Sequence, residues 1–292
     1  MSTLPLYLEV TPRNWKEAKK VAESLRVSIF RGHAEKSWPL NPTIERVAEQ
    51  FNCSKQELWR QEKEVIYLFK SRAHNYIKSP PDDKDWIEWL SQIQHYGGPT
   101  RLLDFTDSFY IASFFALEAA NHDACVWAIN RYILQQNQNR FIPNDVDKQS
   151  AFSQDGIFDF AKTFLEDENN RQNLILHIKP PRLNERLAIQ KGSFLFPCDI
   201  SRNFESNLCD TFGFEFSNLE SFNAIQWNIE NKGTRLPSGA EIVKINLPRE
   251  NYLHLDALKD LHLMNIDAAS LYPGLDGFAR SLKYVVRKME KV

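Results

Sequence analysis

The sequence predicts an α+β fold, with a central mixed, mainly antiparallel sheet, a helical N-terminal part and helices packed around the sheet. Two observations carry it. Short runs that alternate polar and apolar residues or are wholly apolar, at residues 26–33, 124–129, 174–179 and 241–248, read as strands. Longer stretches with apolar residues every three or four positions read as helices, and several of them fall before residue 96. At 292 residues the chain is long enough to bury a full core, and no internal repeat interrupts it. It reads as one domain over residues 1–292.

Composition narrows the function classes. The 36 basic and 38 acidic residues leave a formal net charge of -2, so no whole-protein field draws in nucleic acid or an anionic membrane. No apolar stretch reaches bilayer length and the start lacks a leader pattern, so a soluble, cytoplasmic protein with no membrane partner is expected. Cys53, Cys125, Cys198 and Cys209 lie far apart, with no Cys-x-x-Cys spacing and no adjacent His. That spacing argues against a zinc site and a disulfide scaffold, and no carboxylate cluster suggests a metal-dependent nuclease. The Gly-x-Ser-x-Gly elbow of a serine hydrolase is missing as well.

In chain order, residues 11–25 carry Trp15, Ala18, Val21, Ala22 and Leu25 on one helical face. Residues 26–33 form a strand ending at Arg31-Gly32-His33. Pro39 and Pro42 hold residues 37–42 in a loop, and Thr43 is placed to cap the next helix. A longer helix is expected over residues 54–77, with Leu58, Val65, Leu68, Phe69, Ala73 and Tyr76 on one stripe. Residues 79–82 break it, and Trp86, Trp89, Leu90 and Ile93 continue in a helix that delivers the chain to His95.

Residues 94–106 hold the most unusual chemistry. A Gly97-Gly98-Pro99 turn leads to a short apolar strand carrying Arg101 and Asp104, and a helix starts at once at Asp107, Ser108 and Phe109. Fresh helix N–H groups beside an Arg suit an anionic ligand; a buried Arg101–Asp104 pair holding the turn is the structural reading. Residues 111–119 are apolar nearly all round and predict a buried helix. The polar segment 134–172, with an amphipathic piece at 157–164, reads as an insertion or a mobile lid. Residues 184–196 switch from helical to strand-like periodicity at Gly192, bringing Arg186 and Gln190 with them. Residues 201–238 read as loop with short elements, and helices are expected at 253–263 and 275–287 around a tight turn at 271–277.

Phe30-Arg31-Gly32, residues 95–106, residues 186–194 and residues 271–277 together resemble the bacterial FRG-domain family, named for its Phe/Tyr-Arg-Gly motif. The resemblance runs over about residues 27–282. Gly98 and Phe105 depart from it, standing where members often have a bulkier apolar residue and Trp.

The order of elements also resembles the ADP-ribosyltransferase plan, which implies an enzyme that uses NAD, acting as a toxin or in antiviral defence as an antiphage effector. That resemblance gives Arg31, His95 and Gln190 catalytic roles. It assigns cofactor binding to Arg31, Gly32, Tyr96, Arg101, Thr106 and Arg186, with Tyr96 stacking on nicotinamide and Thr106 supporting the second strand. Gln190 stands nearest the position where the plan has a ribose-orienting Glu, with Glu185 as the other candidate; an amide there would lack the charge that stabilises a cationic sugar. NAD would be the substrate and an unidentified macromolecule the acceptor. The alternative is a non-catalytic module that binds a nucleotide or nucleic acid through Arg31, Arg101 and Arg186.

Overall fold

The computed structural model describes residues 7–141, 154–180, 185–213, 224–237 and 240–283. Its centre is one eight-stranded sheet. In chain order the strands are β1 (Tyr7–Val10), β2 (Ser28–His33), β3 (Leu103–Thr106), β4 (Ala124–Asn130), β5 (Ile175–Ile178), β6 (Gly192–Pro197), β7 (Ala224–Trp227) and β8 (Ile242–Leu247). They lie in the order β5-β6-β3-β2-β4-β8-β1-β7. Only β1 pairs in parallel, with β7 and β8; the other pairings are antiparallel. The fold is α+β with a mixed, mainly antiparallel sheet.

Among the described residues the helices are α1 (Trp15–Glu23), α2 (Thr43–Gln50), α3 (Leu58–Ala73), α4 (Trp86–His95), α5 (Phe109–Leu117), α6 (Arg131–Gln138), α7 (Gln154–Glu166), α8 (Glu185–Ile189), α9 (Phe204–Phe212), α10 (Ile229–Lys232), α11 (Leu253–Leu263), α12 (Ala268–Leu271) and α13 (Leu275–Ser281). They cover both sheet faces. Phe30, Val126, Ala128, Val243 and Ile245 belong to one cluster with α1, α5 and α11, whereas Ile29, Trp127, Ile129 and Ile242 belong to another with α6 and α9. The period-2 alternation of strand side chains produces this division. Burying both faces explains why β4 is apolar along nearly its whole length.

Several expectations need correction. Thr43 is the first helical residue rather than the cap: Pro42 holds the cap position, and Thr43 Oγ1 accepts from Arg46. The long helix at 54–77 is a 3-10 turn at Lys55–Glu57 followed by α3. Its buried face is Leu58, Glu62, Ile66 and Ala73, whereas Leu68 and Tyr76 are exposed. The stripe is rotated because it must present Glu62 to a buried arginine.

The segment 134–172 is not a lid at either described end. Leu134, Asn137 and Gln138 of α6 are buried, and Gln138 Nε2 donates to the Ile175 carbonyl. Ala161, Phe164 and Leu165 of α7 are fully buried against α4, β5 and β6. β1 and β7 were not expected from the sequence; each is only four residues long. The helix expected to reach residue 287 runs over α13, with residues 284–287 outside the described ones.

Candidate functional site

A split in the sheet makes the cleft. β2 pairs with β4 along its whole length, from Ser28↔Asn130 to His33↔Cys125, but it meets β3 only at Phe30↔Thr106. β3 meanwhile pairs fully with β6, from Leu103↔Leu195 to Thr106↔Gly192. Beyond the Phe30–Thr106 contact the two strands diverge, and backbone groups that an ordinary ladder would use are left facing a gap. Helices α4, α5, α8 and α12 close round it. The resulting cleft holds about 250 Å³ and is lined by Arg31, Gly32, Gln94, His95, Asp104, Thr106, Phe115, Arg186, Gln190 and Tyr272, among others.

Arg31 spans the gap. Its Nη1 donates to the Asp104 backbone carbonyl at 2.8 Å, replacing a missing ladder bond, while its Nε donates to His33 Nε2 at 3.0 Å. Acceptance at Nε2 requires a neutral His33 with its proton on Nδ1. Burial, and then the Arg31 charge, push the His33 pKa down to about 3, which keeps the ring neutral. Burial likewise lowers Arg31 to about 10, aided by the nearby Arg46 and opposed by Asp104, so the guanidinium remains charged at neutral pH. Nη2 of Arg31 has no hydrogen-bond partner among the described residues and is available to a ligand.

Gly32 is glycine for a packing reason. A Cβ there would lie 2.0 Å from the Ala112 carbonyl oxygen and 2.7 Å from the Ala116 nitrogen, so β2 and α5 cross in contact. The Arg-Gly pair therefore combines a ligand-facing guanidinium with a close helix–strand crossing.

On the opposite wall, Thr106 Oγ1 donates to the Gln190 carbonyl at 2.7 Å and accepts from the Ser108 N–H, which fixes the start of α5 against the α8–β6 turn. The Gln190 amide donates to the Leu271 carbonyl at 2.9 Å and so ties α12 to this turn. Arg186 lies over the Tyr272 ring at 4.9 Å and Arg280 over the same ring at 4.0 Å, with Phe115 edge-on at 6.0 Å. Arg280 is engaged by Glu118, whereas Arg186 has no ion-pair partner among the described residues. Burial, and next the Arg186 charge, lower the His95 pKa. A neutral imidazole suits proton acceptance better than proton donation.

Arg31, Gly32, His95, Thr106, Arg186 and Gln190 thus come together. Two predicted site residues do not. Arg101 is completely buried outside the cleft, with its Nε donating to Glu62 at 2.7 Å and its backbone N–H to the same carboxylate at 3.0 Å. Its partner is Glu62 rather than Asp104, because Arg101 precedes β3 and turns towards α3. Tyr96 is 63% exposed and lines a separate apolar groove with Leu68, Phe69 and Tyr76 rather than the cleft. Glu185, the other candidate for the late-strand position, opens α8 as an exposed residue and does not line the cleft.

The cleft also holds residues with no ligand role expected from their local pattern. Asp104 and Gln94 form one side, Tyr272 and Phe115 another. Asp104 was legible only as a partner for Arg101; its strand position, offset by one from Phe105, could have placed it on the face opposite the core. Among the described residues no group of three His, Cys, Asp or Glu side chains could hold a metal ion, and no helix is long and apolar enough to cross a membrane. The cleft offers cations, one carboxylate, amides and aromatic rings, which together suit an anionic ligand bearing hydroxyls and a flat ring.

No curated protein and no solved structure matches the chain. The FRG domain model matches residues 26–125, which takes in β2 through α5 and opens β4. That span contains Arg31, Gly32, His95, Asp104 and Thr106, and it ends before the stretches that supply Arg186, Gln190 and Tyr272. With both the Phe30-Arg31-Gly32 strand and the residues 95–106 inside the match, residues 26–125 carry an FRG domain.

Proposed function

We propose that the cleft binds NAD and that the protein is an ADP-ribosyltransferase-like enzyme, a toxin or antiphage effector that modifies a macromolecular acceptor. The observation that carries this reading is the meeting of Arg31, Thr106 and Gln190, from three distant stretches, in one cleft with His95 and Arg186. On the resemblance to the ADP-ribosyltransferase plan, these three would serve as its phosphate-binding cation, its second-strand hydroxyl and its late-strand polar residue. A cleft of about 250 Å³ is smaller than a site enclosing a whole drug-sized molecule, roughly 300–1,000 Å³. It suits the nicotinamide ring with its ribose and phosphate, and the adenylate half extends through the open mouth.

In this chemistry the C1′–N bond breaks with its electron pair leaving on neutral nicotinamide. A lone pair of the acceptor forms the new bond to C1′, and the acceptor's proton passes to solvent or to His95. Arg31 and Arg186 hold the anionic oxygens. The test is nicotinamide release from NAD by the purified protein, alone and with cell extract as acceptor source. Release that Arg31→Ala abolishes supports the reading, and absence of release under both conditions overturns it.

One observation favours a second reading, a non-catalytic module for a nucleotide or nucleic acid. The Gln190 amide is committed to Leu271, and neither Gln190 nor Glu185 supplies a carboxylate to the cleft. Nucleotide binding without nicotinamide release would select that reading.

A further inference from the structure

We infer that Asp104 is the carboxylate that receives the hydroxyls of the ligand's sugar, so that the cleft selects a phosphorylated riboside with an intact 2′,3′-diol. This rests on the reading of the cleft as a site for a ribosyl ligand. Three features of Asp104 lead to it.

First, Arg31 pairs with the Asp104 charge without taking up its hydrogen-bonding oxygens. The guanidinium bonds the Asp104 backbone carbonyl at 2.8 Å, while its Nη1 stays 3.8 Å from the carboxylate Oδ2, beyond hydrogen-bond reach. The two charged groups share the cleft and each keeps free capacity: Nη2 on the arginine and Oδ1 on the aspartate. Second, the carboxylate is aimed. Gln94 Nε2 donates to Asp104 Oδ2 at 2.9 Å and to the Leu102 carbonyl at 3.2 Å. The amide cannot turn over, because its oxygen accepts from the Thr100 hydroxyl at 2.5 Å, and Thr100 is fully buried. A buried hydroxyl thus sets an amide, which sets the carboxylate. Third, 53% of the Asp104 side chain remains exposed, and Asp104 lines the cleft.

A fixed, half-exposed carboxylate offers acceptor oxygens, and the ligand group that matches them is a pair of neighbouring hydroxyl donors. A guanidinium a few ångströms away matches the phosphate of the same molecule. Asp104 also places a negative charge in the cleft where Gln190 supplies none, so it would favour the positive charge that grows on the sugar as the glycosidic bond breaks.

The test uses full-length protein, calorimetric titration and two small probes, ribose 5-phosphate and 2-deoxyribose 5-phosphate. The wild type is expected to bind ribose 5-phosphate roughly tenfold or more tightly than the deoxy sugar, as a lost charge-assisted hydrogen bond implies. In Asp104→Asn and Asp104→Ala the two sugars become equivalent with the melting temperature kept, whereas Arg31→Ala weakens both alike. Equal binding of the two sugars by the wild type, binding of neither, or discrimination that survives both Asp104 variants would overturn the inference. The outcome is separable from that of the transferase reading. Diol discrimination without nicotinamide release removes the enzyme and keeps Asp104, and nicotinamide release without discrimination keeps the enzyme and removes Asp104.

Discussion

Gly32 and Ala112 are in contact through their backbones: a Cβ on Gly32 would stand 2.0 Å from the Ala112 carbonyl oxygen. Neither side can yield cheaply, since β2 is held by β4 on a full register and Ala112 lies in the fully buried stretch of α5. Gly32→Ala is therefore expected to destabilise the fold by about 1–3 kcal/mol or more, read as a lowered denaturation midpoint. An unchanged midpoint would mean that α5 can move away from β2 without loss.

Arg101 and Glu62 form a second fixed point, 1% exposed on each side chain and 2.5 Å apart at their closest atoms. The Arg101 side chain also lies over the Phe196 ring at 4.9 Å, joining α3, the residue 97–101 turn and β6. Removing one partner leaves an uncompensated buried charge, so Glu62→Ala or Arg101→Ala alone should cost about 3–5 kcal/mol. Replacing both with apolar residues of similar volume should recover most of that loss. Equilibrium unfolding of the two single variants and the double variant measures it; additive losses would contradict the pairing.

The sequence foretold what depends on local pattern. The apolar run of α5, the alternation of β8 and the turn chemistry around Gly97, whose φ is +81°, all place elements correctly, because period and backbone preference act within a few residues. It could not foretell partners set by tertiary contact. Nothing near Arg101 in the chain points to Glu62, 39 residues earlier, so local pattern pairs Arg101 with Asp104 instead and gives Asp104 no place in a cleft. Tyr96 and Tyr272 illustrate the same limit. The resemblance to the ADP-ribosyltransferase plan gives Tyr96 the stacking role, yet the α4 C-cap carries it to the outer face, and the Tyr272 ring on the cleft comes from far along the chain. The order of strands in the sheet, which creates the gap between β2 and β3, is likewise a property of the whole chain.

His33 makes stability depend on pH in a definite direction. Its pKa is about 3 in the folded protein against 6.5 as the ordinary value. Above pH 6.5 the ring is neutral in both states and adds no dependence. Between the two values the unfolded chain binds a proton that the folded protein refuses, so stability falls with falling pH by about 1.4 kcal/mol per unit from this one group. His33→Asn should lower the slope of unfolding free energy against pH by up to that amount between pH 6 and 4. Comparing the two slopes cancels the contributions of His177, which burial lowers to about 4, and Glu45, which burial raises to about 7, since both are common to the two proteins. Equal slopes would show that His33 is protonated along with its unfolded counterpart and does not accept from Arg31.

The two tyrosines give the sharpest test of where a ring-bearing ligand sits. Tyr272 lines the cleft, braced by Phe115 and flanked by Arg186 and Arg280, whereas Tyr96 is 63% exposed on the neighbouring apolar groove. Removing Tyr272 takes away the aromatic wall and frees Arg186 from the position it holds over the ring. Tyr272→Ala should weaken NAD binding by about tenfold, the order expected when roughly 1–1.5 kcal/mol of aromatic and cation–π contact is lost. Tyr272→Phe should restore most of it, since the ring rather than the hydroxyl makes these contacts, and Tyr96→Ala should bind as the wild type does. Fluorescence titration with NAD reads all three. Weakening by Tyr96→Ala with no effect of Tyr272→Ala would move the ligand out of the split between β2 and β3 and onto the groove beside α3.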